Sequence, residues 1–218
     1  MTFPLGVIGI FMIKKNYIYD VDGVVFDSNS NKIQAYRELL LPLGSQDKVN
    51  ILVDNFRLNF GKTRRWHMEF AADILGNNIN IDLLTDNYAK KMETMMHPLI
   101  EINARRIKEL SGENPIFVSG SSKAELDILL PKHFVCDQKK IFGSPDEKSA
   151  VLSHLKELMP NETLLYFGDS MADIDACDIA GIDCIALYGF SAHPEKLKEL
   201  ANKKNLLCIE NLEFFNEH

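Results

Sequence analysis

Apolar residues fall along this chain in short unbroken runs, and the later runs alternate with stretches of helical spacing. Tyr17–Val21 is the first strand candidate. Pro115–Ser119, Lys140–Ser144, Thr163–Asp169, Asp183–Gly189 and Leu206–Glu210 follow it. Amphipathic segments at Lys123–Leu130, Asp146–Met159, Ala172–Ala180 and Pro194–Lys203 separate the later runs. Runs this uniformly apolar belong to strands covered on both faces, so the alternation predicts βαβ units and a parallel sheet in an α/β fold. One region breaks the pattern. From Asn31 to His97 there is no strand signal, only helical stretches punctuated by PLGSQD, FGKT and GNNIN. A segment so long and so patterned is not a loop; it reads as a helical cap inserted after the first strand, with Leu99–Leu110 returning the chain to the sheet.

In a parallel open sheet, ligands gather beyond the carboxyl ends of the strands. The polar residues that close the apolar runs are Asp20 and Asp22, then Ser119, then Asp169 with Asp173, and Lys148 sits in the first turn of the helix after IFGSP. The topology therefore brings residues far apart in sequence to one edge. Asp20 and Asp22 taken alone read equally well as an acidic turn, but their convergence with the others points to chemistry. Three carboxylates at one point suit a hard divalent cation, and Mg²⁺ favours a few carboxylates with waters and substrate phosphate. Gly23, Gly120 and Gly168 permit tight turns and close backbone approach to a phosphoryl group. Ser119 can donate to a phosphoryl oxygen, and Lys148 can hold together oxygens that would otherwise repel. One aspartate can act as nucleophile, and the second can protonate a leaving oxygen if its pKa is raised. The spacing fits neither an EF-hand loop nor a Walker A motif, and a dinucleotide fingerprint would place glycines, not acids, after the first strand.

Composition narrows the class. With 218 residues, 46% hydrophobic and 25% charged, the chain suits one sizeable core plus a small second unit. A net charge of −7 without any basic tract argues against nucleic acid as a partner. The four cysteines, Cys136, Cys177, Cys184 and Cys208, form no CxxC pair, and the six histidines form no HxH or HExxH. Both sets read as structural, in a reduced, cytoplasmic protein with a monomer as the default. The apolar run at the N-terminus ends at Ile13, too short to span a bilayer, and its lysines, Lys14 and Lys15, follow the run where a signal peptide would carry them before it. Residues 1–11 are accordingly expected to be an extension and not a targeting signal, with no membrane partner.

These residues resemble the haloacid dehalogenase superfamily from about Met12 onward. YIYDVDG looks like that family's first motif, IFVSGSS like the second, Lys148 in IFGSPDEK like the third, and GDSMADIDACDIAG like the fourth. Each is weak alone; four in this order and spacing are specific. The resemblance implies a Rossmann-like catalytic core formed by 12–29 and 99–218, with a helical cap at 30–98. It implies Asp20 as the nucleophile that becomes aspartyl phosphate, and Asp22 as general acid and base. Ser119 and Lys148 would bind and stabilise the phosphoryl group, with Gly23 and Gly120 beside it. Mg²⁺ would be held by the Asp20 carboxylate, the Asp22 carbonyl and Asp169, with Asp173 in support. Asp175 and Asp178 on the same helix read as solvated. Carbon–halogen-cleaving members lack the second aspartate, so Asp22 points to phosphate chemistry. Within the cap, GKTR resembles an element of phosphosugar-handling members, making Arg64, with Thr63, the candidate for contacting the distal part of a substrate. Trp66 and Phe70 read as cap core.

The expected activity is that of a phosphoric monoester hydrolase, acting on a small phosphorylated metabolite, a sugar phosphate in the leading reading. A phosphosugar mutase of the beta-phosphoglucomutase type shares every core residue and stands as the alternative. A non-catalytic interaction or sensor protein on the same fold is the second.

Overall fold

The computed structural model describes residues 15–216 apart from 61, 77–78, 96 and 113. The expected extension, residues 1–11, lies outside the described residues. Six strands, β1 (Lys15–Tyr19), β2 (Ile116–Ser122), β3 (Ile141–Ser144), β4 (Thr163–Gly168), β5 (Asp183–Leu187) and β6 (Leu207–Ile209), form one parallel sheet in the order β3-β2-β1-β4-β5-β6. Ile18 of β1 pairs with Ile116 on one side and Tyr166 on the other, so the ends of β1, β2 and β4 lie side by side.

Successive side chains of a strand point to opposite faces, and both faces are apolar here. Tyr19, Phe117 and Phe167 pack on one face against Ala104 and Ile107 of α5 (Glu101–Ser111). Ile18, Val118 and Tyr166 pack on the other against α7 (Lys148–Leu158), α8 (Met171–Ala180) and α9 (Pro194–Lys203). This two-sided burial is why the strands read as uninterrupted apolar runs.

Between β1 and α5 lie four cap helices, α1 (Asn29–Leu40), α2 (Gln46–Leu58), α3 (Arg64–Leu75) and α4 (Ile81–Glu93). They bury their own cluster, including Leu52, Phe56, Met68, Tyr88 and Met92, with Tyr36 stacked on Phe56 at 4.3 Å. Phe70 packs against this cluster and Trp66 stacks on Phe70 at 6.0 Å. The chain leaves and re-enters the sheet layer through adjacent segments. Phe26 bridges to Leu99, the Asp27 N–H donates to the Pro98 carbonyl at 2.8 Å, and the Ile100 N–H donates to the Val25 carbonyl at 2.9 Å.

Several boundaries differ from the sequence reading, β1 among them, which spans Lys15–Tyr19 and not Tyr17–Val21. β2 continues to Ser122, with a shift of register between Val118 and Ser122, because Ser122 still pairs with Ser144. α7 begins at Lys148, not at Asp146, because the preceding residues form a turn in which the Asp146 N–H reaches the Gly143 carbonyl at 3.3 Å. Between β2 and β3 lies the short helix α6 (Lys123–Leu129). Among the described residues, no helix is long and apolar enough to cross a membrane.

Candidate active site

The opening acid, Asp20, is fixed by the sheet itself. Its N–H continues the ladder to the Phe167 carbonyl at 2.9 Å, so the side chain emerges where β1 ends. That side chain is buried; Oδ1 accepts from the Val21 N–H and Oδ2 from Lys148 Nζ, each at 2.7 Å. The chain then turns at Gly23, whose φ is +77°. A Cβ built there would lie 2.0 Å from Asp169 Oδ2, so only glycine lets this turn close against the end of β4. Gly168 serves a similar packing purpose, since a Cβ there would meet Asp173 Cβ at 2.5 Å.

Lys148, the first residue of α7, joins Asp20 to Asp173. Asp173 is fully buried and its oxygens are already engaged. Oδ1 accepts from Lys148 and, at 3.0 Å, from the Tyr166 hydroxyl; Oδ2 accepts from the Ser170 N–H at 2.9 Å and hydroxyl at 2.6 Å, as part of a capping box on α8. Its contacts make it the residue that positions Lys148. Asp175 and Asp178, on the same helix, are exposed. Asp169 is buried beside Asp20, and its Oδ2 accepts from Asn29 Nδ2 at 2.9 Å. One oxygen from each of Asp20, Asp169 and Asp173 falls within a 4.8 Å cluster.

The electrostatics of that cluster are unbalanced. Burial raises the Asp20 pKa to about 7; Lys148 opposes the rise, while Asp173 and Asp22 add to it. Asp169 is also raised well above its ordinary value, by burial first and then by the charges of Asp20 and Asp173. Burial disfavours the Lys148 ammonium, yet Asp173 and Asp20 outweigh it and hold the proton firmly. Acids that gain proton affinity by crowding lose it again when a divalent cation arrives, and hard carboxylate oxygens are the donor set Mg²⁺ takes. Asp20 and Asp169 fit such an ion.

Asp22 is different. The general-acid role expected of it required a raised pKa, and the structure gives the opposite. Burial pushes its carboxyl up, but the Lys32 ammonium, with hydrogen bonds from Lys32, Ser28 and Ser121, pulls it well below the usual carboxylate range. The Ser121 hydroxyl donates to Oδ2 at 2.7 Å and the Ser119 hydroxyl at 3.2 Å, while Ser28 donates to Oδ1. Lys32 comes from the cap helix α1, so the charge that holds Asp22 ionised belongs to the cap.

A cleft of about 440 Å³, its mouth included, separates core from cap. Asp20, Asp22, Ser119, Gly120, Lys148 and Asp169 line its core side; Phe60, Lys62, Arg64, His67 and Tyr88 line the cap side. Arg64 therefore reaches the cleft, but its guanidinium is already paired with Glu125 of α6 and lies 5.4 Å from the Tyr88 ring centroid. Thr63, expected beside it as a substrate contact, instead caps α3, accepting from the Trp66 N–H at 3.3 Å. Gly23 acts through Asp169 and not on the cleft wall. Sequence reasoning missed Asn29, Lys32, Ser121, His67 and Glu125. Only Lys32 left a trace, as the first cation on the helix after the acidic turn.

No protein-family model matches the chain, and no curated protein matches it. Solved structures do. A candidate beta-phosphoglucomutase from Bacteroides vulgatus superposes with a TM-score of 0.74 at 18% identity, over 94% of this chain and 87% of that one. A candidate haloacid dehalogenase-like hydrolase from Bacteroides fragilis gives 0.68 at 19%, over 93% and 100%. A candidate phosphoglycolate phosphatase from Lactobacillus plantarum gives 0.67 at 16%, over 94% and 99%. With a parallel Rossmann-like sheet, a helical cap after its first strand and acids at the strand ends, the chain has the capped fold of the haloacid dehalogenase superfamily.

Proposed function

We propose that this protein is a Mg²⁺-dependent phosphatase that hydrolyses a small phosphomonoester, with a sugar phosphate as the leading substrate class. The observation that carries this reading is Asp20: a buried carboxylate at the end of β1, held by Lys148, clustered with Asp169 and Asp173 and lining a capped cleft. In the first half-reaction an Asp20 oxygen attacks phosphorus, the bond to the leaving oxygen breaks, and Asp22 supplies the proton that oxygen needs. In the second, Asp22 takes a proton from water, the water oxygen joins phosphorus, and the bond to Asp20 breaks to release inorganic phosphate. Lys148 and the Ser119 hydroxyl offset the charge on the phosphoryl oxygens, the electrostatic work that dominates phosphoryl transfer. Asp22 can carry a proton only once Lys32 leaves it, and the incoming phosphoryl oxygens are the rival partner for that ammonium. Mg²⁺, held by Asp20 and Asp169, would supply neutralising charge to the transferring group.

Phosphate release from a panel of sugar phosphates and an aryl phosphate tests the reading. Release that needs Mg²⁺, stops with EDTA and is absent from Asp20→Asn is the expected result; no release from any member overturns hydrolysis as the activity. The mutase reading is kept by the likeness to the Bacteroides vulgatus structure. Isomerised sugar phosphate appearing only with a bisphosphate activator would select it.

A further inference from the structure

The start of the cap helix α1 is seated on two carboxylates of the core. Ser28 and Lys32 hold Asp22, just beyond β1, and Asn29 holds Asp169, just beyond β4. The reaction above uses Lys32 and gives Asn29 no part. Asn29 is 6% exposed, and its Nδ2 donates to Asp169 Oδ2 at 2.9 Å and to the Phe190 carbonyl at 2.8 Å. Both neighbours are acceptors, so the amide can be turned only one way; its oxygen in that place would face two others. The contact is enclosed as well. A Cβ on Gly23 would lie 2.0 Å from Asp169 Oδ2 and 2.9 Å from Asn29 Nδ2, so the Gly23 turn closes over the pair. The Asp169 carboxylate is thus gripped by the segment that leads into the cap, and it cannot rotate without breaking its bond to Asn29.

Resting on the phosphatase reading of the same site, we propose that Asn29 is the positioning residue for the metal ligand Asp169, and that through this bond the seating of the cap and the binding of Mg²⁺ strengthen each other. A carboxylate already held by a hydrogen bond has lost its rotational freedom before the cation arrives, so less entropy is lost on binding. The donor belongs to α1 and the acceptor to the core. The coupling is therefore reciprocal: what Asn29 adds to Mg²⁺ affinity, Mg²⁺ adds to the stability of the α1 seat. A cap that lifts away withdraws the donor and loosens the ligand.

The test is Mg²⁺ affinity, measured by calorimetry on the full chain without substrate, in wild type, Asn29→Leu, Asn29→Ala and Met68→Ala. Asn29→Leu keeps the bulk and loses the donor, and Asn29→Ala loses both. Met68→Ala loosens the cap cluster at a buried position that does not line the cleft. Both Asn29 variants should weaken Mg²⁺ binding about 10–100-fold, as loss of a group that orients a metal ligand does, and Met68→Ala should stay within about threefold of wild type. Saturating Mg²⁺ should slow amide hydrogen exchange in α1 by about tenfold or more in wild type, and not in Asn29→Leu. Phosphate release from p-nitrophenyl phosphate should need more Mg²⁺ in the Asn29 variants, with kcat at saturating Mg²⁺ within about threefold of wild type, a split that general loss of structure would not give. The proposal is overturned if the Asn29 variants bind Mg²⁺ as wild type does, if Met68→Ala weakens binding as much as they do, if their kcat stays depressed at saturating Mg²⁺, or if Mg²⁺ leaves exchange in α1 of wild type unchanged. That last comparison decides even where neither Asn29 variant folds. Wild type that binds no Mg²⁺ ends both the metal reading and this proposal. Release from p-nitrophenyl phosphate by wild type, lost in Asp20→Asn, separates this failure from failure of the phosphatase reading; without that release the reading fails, and calorimetry still decides the role of Asn29.

Discussion

Replacing Asp20 by Asn should stabilise the metal-free protein, and the gain should grow with pH in a calculable way. Asp20 has an ordinary pKa of 3.8 and, in the folded state, one raised to about 7. Between those values the folded protein holds a proton that the unfolded chain has released. Stability from this group is therefore present at low pH and is lost as pH rises from about 4 to about 7. At about 1.4 kcal/mol for each pH unit, the cost above pH 7 comes to about 4 kcal/mol, and Asp20 is too buried for solvent to screen much of it. His67 acts with the opposite sign. Held neutral with a pKa lowered to about 3, it contributes stability above 6.5 that is lost as pH falls. A raw pH curve mixes the two, so the informative quantity is the difference between Asp20→Asn and wild type. Chemical denaturation in EDTA at pH 4, 5.5, 7 and 8 should give a difference near zero at the acid end, rising to a few kcal/mol at pH 7. Saturating Mg²⁺ should reverse its sign by stabilising only the wild type. A difference that is flat with pH, or a variant less stable than wild type in EDTA at pH 8, would refute the electrostatic account of the cluster.

Other consequences follow from single contacts. Gly23→Ala should destabilise by about 1–3 kcal/mol and weaken Mg²⁺ binding measured by calorimetry, since the turn has φ +77° and the new Cβ meets Asp169. Lys32→Met should raise the Asp22 pKa by roughly one to three. Asp22 contributes stability above its ordinary 3.8 that is lost as pH falls, so this variant should lose less stability than wild type between pH 4 and pH 2. Met68→Ala, at a fully buried site in the cap cluster, should cost about 2–5 kcal/mol in urea denaturation.

The parts of this molecule that were legible in the sequence are those whose signal is local. β1, β2 and β4 are apolar on both faces, so their runs and the polar residues that end them could be read directly, and with them Asp20, Ser119 and Asp169. Lys148 was legible because it opens a helix behind a strand end. The contacts that span cap and core were not. Asn29 meets Asp169 across 140 residues, and Arg64 meets Glu125 across 61, and no periodicity announces either pair. Arg64 could be singled out as a cation in the cap, yet nothing near it in the sequence says that its charge is already answered. Thr63 misled for a related reason: a threonine just before a helix is as good an N-cap as a ligand contact, and the helix claimed it. Asp22 was found by its spacing, but its ionisation depended on Lys32, a residue that only the folded cap brings to it.

The central claim, that Asp20 carries the phosphoryl group, is tested most directly by rapid acid quench during turnover followed by mass spectrometry of the peptides. The account predicts one added phosphoryl group on the peptide containing Asp20, labile to hydroxylamine and absent from Asp20→Asn. Phosphate released at full rate with no acyl phosphate trapped on that peptide would contradict it.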